Sequence, residues 1–419
     1  MINEYKDSPL GKIPKNWDVE KLGKLAKTFA GGTPKRGVTG YYGGSIPWIK
    51  SGEVNNNSIE GAEEHVTELA LKESSTKLIE ANSILVALYG ATAGKVGVLK
   101  VMACSNQAVL AVSSKHETLS NKFLYHYLKK CTSELLNLCQ GSGQPNLSKG
   151  IVDSVQIPLP SLPEQQKIAE ILNTVDNKIE VIDQQIIETQ ELKKGLMQRL
   201  LTRGIGHTEF KDSPLGEIPK SWEVVKLEKH SKKITDGSHH SPVPQNGTGL
   251  FIATVKDMKE NRFSLDKCAN ISEEDFDLLE RNGCKPQIND VLFSKDGTIG
   301  KTFVYKENQG VVLLSSVAII RLFEEKLNPH FVCQVLKSDV FYNQLKGLTS
   351  GSAIRRLVLK AIKEIKLTVP PIEEQKKIAE VLSSMDEKLE VLSEKKKHYH
   401  ELKQGLMQQL LTGKIRVKV

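Results

Sequence analysis

Two lysines stand at the ends of glycine-bearing turns. They are Lys95 in Gly90-Ala91-Thr92-Ala93-Gly94-Lys95 and Lys301 in Gly297-Thr298-Ile299-Gly300-Lys301-Thr302. A nucleotide-binding loop needs four residues between its glycines and then Lys-Ser/Thr, so that backbone amides cradle the phosphates. The first turn has three residues between Gly90 and Gly94, with Val96 after the lysine, and the second has two between Gly297 and Gly300. Nucleotide binding at either turn is therefore disfavoured. A tight turn after a strand remains, presenting Thr92 and Lys95, or Lys295, Thr298 and Lys301. Such groups are ordinary contacts to a polynucleotide backbone; a purely structural turn is the alternative. Residues 33–50 carry the same chemistry, with Thr33, Lys35, Arg36, Tyr41, Tyr42, Trp48 and Lys50 among glycines that would let a chain approach a groove. The competing reading puts Trp48 and Tyr42 in a core. Late in each half come Gln144 and Asn146, then Arg355 and Arg356, with Lys256 comparable. Asn and Gln can pair with adenine edges. Thr235, Ser238, His239 and His240 form a further loop that either faces a nucleic acid or is neutral surface. His239-His240 is not a metal pair, since adjacent loop residues point apart and nothing completes a ligand set. Acidic pairs such as Glu63-Glu64 read as solvated surface.

These residues are set in a chain that repeats itself. Asp7-Ser8-Pro9-Leu10-Gly11-Lys12-Ile13-Pro14-Lys15 returns 205 positions later as Asp212 to Lys220, and Trp17 returns as Trp222. Glu164-Gln165-Gln166-Lys167-Ile168-Ala169-Glu170 returns 210 positions later as Glu374 to Glu380. A period this long is domain duplication, not a solenoid. Between the matched ends the halves diverge, which implies one job done at two unlike targets.

The helical pattern is clearest at 163–202. Ile168, Leu172, Val175, Ile179, Ile182, Ile186, Leu196 and Leu200 fall on alternating steps of three and four, with Thr189 and Lys193 in the remaining seam positions. That is a heptad seam. Residues 373–412 repeat it with Ile378, Leu382, Met385, Leu389, Leu392, Tyr399, Leu406 and Leu410, interrupted by Lys396 and Lys403. Prolines precede both helices, and Gly204 and Gly413 stop them. Each helix of about 40 residues would be about 60 Å long. The narrow seams make the two helices partners, antiparallel by chain order; packing of each on its own globule is the alternative. Ser83–Tyr89 and Asp290–Ser294 read as strands, each following an asparagine. The expected order is a globule at 1–158, a helix at 159–203, a globule at 204–368 and a helix with its tail at 369–419, an α+β chain.

Net charge is +8, with pI about 8.9, which permits a polyanionic partner without requiring one. The six cysteines are scattered, with no C-x-x-C pair, and read as reduced thiols of a cytoplasmic protein. No apolar segment reads as a signal peptide or a membrane span.

Taken jointly, several of these features resemble the specificity subunits of type I restriction-modification systems. They are Leu10-Gly11-Lys12-Ile13-Pro14-Lys15-Asn16-Trp17 and its copy, Gly31-Gly32-Thr33-Pro34, Ile46-Pro47-Trp48, Thr235-Asp236-Gly237-Ser238-His239, Lys295 to Lys301, and the two Pro-x-x-x-Glu-Gln helix starts. The resemblance spans essentially the whole chain. It implies a non-catalytic reader of double-stranded DNA with two pseudo-symmetric target recognition domains, each taking one half of a bipartite asymmetric site. The two long helices would form an antiparallel coiled coil that measures the gap. It also implies that two methyltransferase subunits use S-adenosylmethionine to methylate adenine N6, and that restriction subunits with ATP- and Mg-dependent translocase and nuclease activity join them. The chain itself would hold no cofactor and no metal. No Asn/Asp-Pro-Pro-Tyr/Phe segment that could grip a flipped adenine occurs in it. Two rival readings are a scaffold whose coiled coil spaces two protein-binding domains, which salt-dependent duplex binding would separate, and a single-chain enzyme, disfavoured by the missing motifs.

Overall fold

Asn82 and Asn289 adopt positive φ, 66° and 72°, and each turns the chain into an interior strand of a sheet. Asparagine enters this left-handed region at low cost, which is why it precedes both strands. The computed structural model describes residues 5–55, 58–115, 117–137, 146–307, 310–348 and 356–418. They fall into two compact units, residues 1–183 with 395–419 and residues 184–394. Each unit therefore owns the start of one long helix and the end of the other. Among the described residues no helix is long and apolar enough to cross a membrane.

In the first unit, strands β1 (Ala26–Ala30), β2 (Ser58–Ile59), β3 (Ile84–Ala87), β4 (Val96–Leu99) and β5 (Val109–Ser114) form a sheet ordered β1-β5-β3-β4-β2. All four residues of β3 are buried, because both faces of the sheet are covered. Ile84 and Val86 face a core with Phe123, Leu124 and Leu128 of helix α1 (Asn121–Asn137), while Leu85 and Ala87 face Ile49, Val54 and Ile79. Strand Gln156–Leu159 then pairs antiparallel with Asp18–Lys21 and delivers the chain to helix α2 (Leu162–Arg203).

The second unit repeats this plan. Strands β6 (Ser231–Asp236), β7 (Val291–Ser294), β8 (Thr302–Val304) and β9 (Val317–Leu322) are ordered β6-β9-β7-β8. Val291 and Phe293 face the core that contains helix α3 (Pro329–Leu336), and Leu292 faces the opposite cluster. Strand Lys366–Val369 pairs with Glu223–Lys226 and leads into helix α4 (Ile372–Leu410).

The repeated Glu-Gln and Trp motifs are anchors. Gln165 donates to the carbonyls of Thr118 and Pro160 and accepts from the Ser120 amide, at 2.8 to 3.0 Å. Gln375 does the same with Lys326, Pro370 and Asn328, at 2.9 to 3.0 Å. Glu164, 1% exposed, accepts from Trp17 Nε1 at 3.1 Å and from two nitrogens of Arg416. Glu374 accepts from Trp222 Nε1 at 3.0 Å, from the Ile205 amide and from His207. Gly204 and Gly413 end the helices at positive φ, 64° and 71°. A Cβ on Gly413 would lie 2.5 Å from Pro14, and one on Gly204 2.6 Å from Trp222.

Along the seams, Ile168, Leu172, Val175, Ile179, Ile182, Leu200, Ile378, Leu382, Leu392 and Leu410 are buried. Ile186, Leu196, Met385, Leu389, Tyr399 and Leu406 are half-buried. The helix starts also pack on their own globules: Ile168 and Leu172 share the core of Trp17, and Ile378 and Leu382 that of Trp222. The seam lysines are paired ions. In the first unit Lys403 bonds Asp176 and Lys396 lies 2.5 Å from Asp183, so the helix segments run antiparallel. In the second unit Lys193 bonds Asp386.

Candidate nucleic-acid interface

The first unit gathers several loops at the end of β3. Ala87 N bonds the Lys95 carbonyl at 2.9 Å, closing the 90–95 turn, while Leu88 N bonds Ala108 O at 2.8 Å and Leu147 N bonds Leu88 O at 2.6 Å. Thr92 Oγ1 donates to Ser51 O at 2.6 Å, so the turn is seated beside Lys50. The Gly31-Gly32 segment crosses the 105–109 turn, with Gly31 N on Val109 O and Gly32 N on Ser105 O. A Cβ on Gly31 would sit 2.2 Å from Ser105 O, so only glycine fits this crossing. It brings Thr33 Oγ1 onto the Gln107 side-chain carbonyl.

Several side chains expected at a groove are placed elsewhere. Trp48 is 3% and Tyr41 7% exposed; both are core. Burial of a large ring outweighs exposure once its polar atom is satisfied, and Trp48 Nε1 donates to Gly32 O at 3.0 Å while Tyr41 OH donates to Glu73 at 3.2 Å. Tyr42 OH donates to Pro34 O at 2.7 Å. Arg36 stacks over Tyr42 at 4.5 Å and pairs with Glu64 at 2.8 Å. Lys50 pairs with Glu63 at 3.0 Å and Glu64 at 3.4 Å, and the hydrogen bond to Glu63 raises its pKa against desolvation. Glu63, still exposed, and the half-buried Glu64 are thus surface partners of the basic loop. Thr33, Lys35 and Asn146 are exposed, and Lys95 is half-buried. Gln144 lies outside the described residues.

In the second unit the same backbone bonds recur. Ser294 N bonds Lys301 O at 2.8 Å, Lys295 N bonds Ser316 O at 2.9 Å, and Leu357 N bonds Lys295 O at 2.7 Å. Gly237 N bonds Val317 O and Ser238 N bonds Leu313 O. The side chains on this frame are different. Where the first unit has Leu88, the second has Lys295, 2% exposed, held by Asp236 at 3.1 Å and Asp296 at 3.3 Å. A buried ammonium needs such partners, so Lys295 is not available to a phosphate. Lys301 Nζ is likewise taken by the carbonyls of Val255 and Met258, at 3.3 and 3.0 Å. Ser238 Oγ closes its own turn with His240, and Thr235 is half-buried on β6. His239, His240, Lys256 and Thr298 are exposed, and His239 lies 3.5 Å from Asp236. Arg356, 61% exposed, lies 3.3 Å from Asp296, while Arg355 is outside the described residues.

His239, Asp236, Lys295, Asp296 and Arg356 thus form one chain of polar contacts. Gln107, Asp236 and Asp296 were not singled out from sequence. The two aspartates sit inside motifs already noted for other residues, whereas Gln107 carries no local signal; only the crossing at Gly31 brings it to Thr33. Among the described residues no group of His, Cys, Asp and Glu could hold a metal ion.

Comparison with known proteins fits this doubled frame. A family model described as the type I restriction modification DNA specificity domain matches twice, at residues 14–191 and 219–399. The chain belongs to this family. The type I restriction enzyme MjaVIII specificity subunit of Methanocaldococcus jannaschii is 29% identical over 421 aligned positions, covering 97% of this chain and 95% of that protein. The MjaIX specificity subunit of the same organism is 26% identical, covering 99% and 97%. The EcoR124I/EcoR124II specificity subunit of Escherichia coli is 32% identical over 200 positions, 46% of this chain. The crystal structure of the type I restriction-modification S subunit from M. genitalium superposes with a TM-score of 0.63 at 15% identity, covering 96% of this chain and 98% of that one; it shares the fold.

Proposed function

We propose that this chain is the DNA-reading specificity subunit of a type I restriction-modification complex, and that each unit reads one half of a bipartite, asymmetric site. It is non-catalytic: the relatives above are named specificity subunits, not methylases or endonucleases. The observation that carries the reading is the matched set of backbone bonds around Leu88 and Lys295, bearing unlike side chains at each position. A constant frame places both loop sets alike, and the divergent side chains read different bases.

Contact to DNA falls on the exposed Thr33, Lys35 and Asn146 and on the half-buried rim of Thr92 and Lys95 in the first unit, and on the exposed His239, His240, Lys256, Thr298 and Arg356 in the second. The target recognition domains are residues 1–158 and 204–368, and the helices fix the spacer between half-sites. Two methyltransferase subunits dock on the chain and transfer methyl groups from S-adenosylmethionine to adenine N6, and restriction subunits bring ATP- and Mg-dependent translocation and cleavage. We place the complex in the cytoplasm, the compartment that holds the DNA it acts on.

The test exchanges residues 1–158 for those of a relative and maps methylated positions across a genome. One half-site should change while the other stays. If both change together, the two-reader account fails.

A further inference from the structure

Resting on the reading that each unit takes one half-site, we infer that Asn146 and Arg356 occupy the same base-reading position of the repeated fold, Asn146 taking an adenine in one half-site and Arg356 a guanine in the other. The backbone makes them equivalent. Leu147 bonds the Leu88 carbonyl and Leu357 bonds the Lys295 carbonyl, at 2.6 and 2.7 Å. Both leucines are 3% exposed. The residue just before each is therefore exposed but carried on an anchored backbone, at the mouth of the turn that follows the central strand. Arg356 is held further by an antiparallel bridge to Asp296.

The side chains then select different bases. Arg356 Nε lies 3.3 Å from Asp296 Oδ1, an oxygen buried without a hydrogen bond. Lys295 draws the other carboxylate oxygen at 3.3 Å, and Lys295 is in turn held by Asp236. Asp296 is thus held by Lys295 and by its backbone bridge, and the guanidinium rests against it through an ion contact at Nε. Neither Nη has a partner among the described residues, which leaves the terminal fork for a ligand. A phosphate would find no net positive charge here, because Asp236 and Asp296 offset Lys295 and Arg356. The guanine edge carries no net charge and offers O6 and N7 to an arginine fork. In the first unit, Asp296 is replaced by Tyr89 and Arg356 by Asn146. Asparagine, carrying both a donor and an acceptor, matches adenine N6 and N7.

The experiment uses the full chain with its cognate modification subunit on a library of randomised duplexes, and sequences the methylated products. Arg356→Ala should make one guanine of one half-site degenerate, with roughly ten- to hundredfold loss of discrimination. The other half-site stays unchanged and shows that the variant is folded. Asp296→Asn should relax the same guanine more weakly. Asn146→Ala should make one adenine degenerate in the opposite half-site. Uniform weakening across all sequences, with the salt slope reduced by about one, would make Arg356 a phosphate contact and overturn the assignment. Unchanged specificity, or both alanine variants altering one half-site, overturns it too. A wild-type complex that methylates no bipartite site would instead remove the parent reading, and this assignment with it.

Discussion

Replacing His126 with glutamine should remove a pH dependence from the stability of the first unit. His126 lies on α1, wholly buried, with Nε2 2.9 Å from Asn173 Oδ1 and Nδ1 3.9 Å from Asp176 without a hydrogen bond. Burial is the largest influence and pushes its pKa down to about 4. The Asn173 bond and Asp176 oppose the shift, while Lys403 and Lys129 add to it. In the unfolded chain the same ring titrates near 6.5. The folded pKa is the lower one, so the unfolded chain binds the proton first. The contribution of the neutral ring is complete above about pH 6.5 and is lost as pH falls toward about 4. Integrated, the loss from pH 7 to 4.5 is about 2 kcal/mol. The second unit shows that glutamine suits the frame. There Gln334, 2% exposed, donates to Asp386 at 2.8 Å, as His126 faces Asp176. The assay is urea unfolding at steps between pH 7 and 4.5, comparing wild type with His126→Gln. The wild type should lose about 2 kcal/mol more than the variant over that range. Parallel curves would show that His126 takes up no proton on unfolding, and would refute the reasoning.

The seam ions give a second prediction. Lys193→Met should cost about 1–2 kcal/mol, since Asp386 loses its nearest cation but keeps Lys337 and Gln334, whereas Lys193→Met with Asp386→Asn should recover much of it, because the Asn oxygen still accepts from Gln334; strict additivity in a double-mutant cycle read by urea unfolding would count against a coupled pair. For the spacer, four residues inserted after Ile186 in α2 together with four after Leu392 in α4 add about 6 Å to each helix and nearly keep the seam facing. Methylation mapping should find both half-sites intact and the gap longer by one or two base pairs; methylation at the original spacing would remove the helices as the ruler. Two-residue insertions turn the seam by roughly 200° and should lower the melting temperature.

Local pattern determined much of this protein. The heptads of α2 and α4, the asparagines before β3 and β7, the glycines that stop the helices and the doubled Trp and Glu-Gln motifs are all legible in the residues, because helix period, left-handed φ and helix capping are short-range effects. Tertiary structure decided the partners. Lys193 and Lys403, which interrupt an apolar seam in sequence, are ions matched to Asp386 and Asp176 across the helix pair. Trp48 and Tyr41 have the composition of a groove-facing loop, yet they fold inward because Gly32 O and Glu73 satisfy their polar atoms. Lys295 has the spacing of a phosphate contact, yet Asp236, 59 residues earlier, buries it. Asn146 and Arg356 share no residue type, and only the carbonyls of Leu88 and Lys295 reveal them as one position. In each case the deciding energy is a contact between residues distant in the chain, and such contacts leave no period in the sequence for a reader to find.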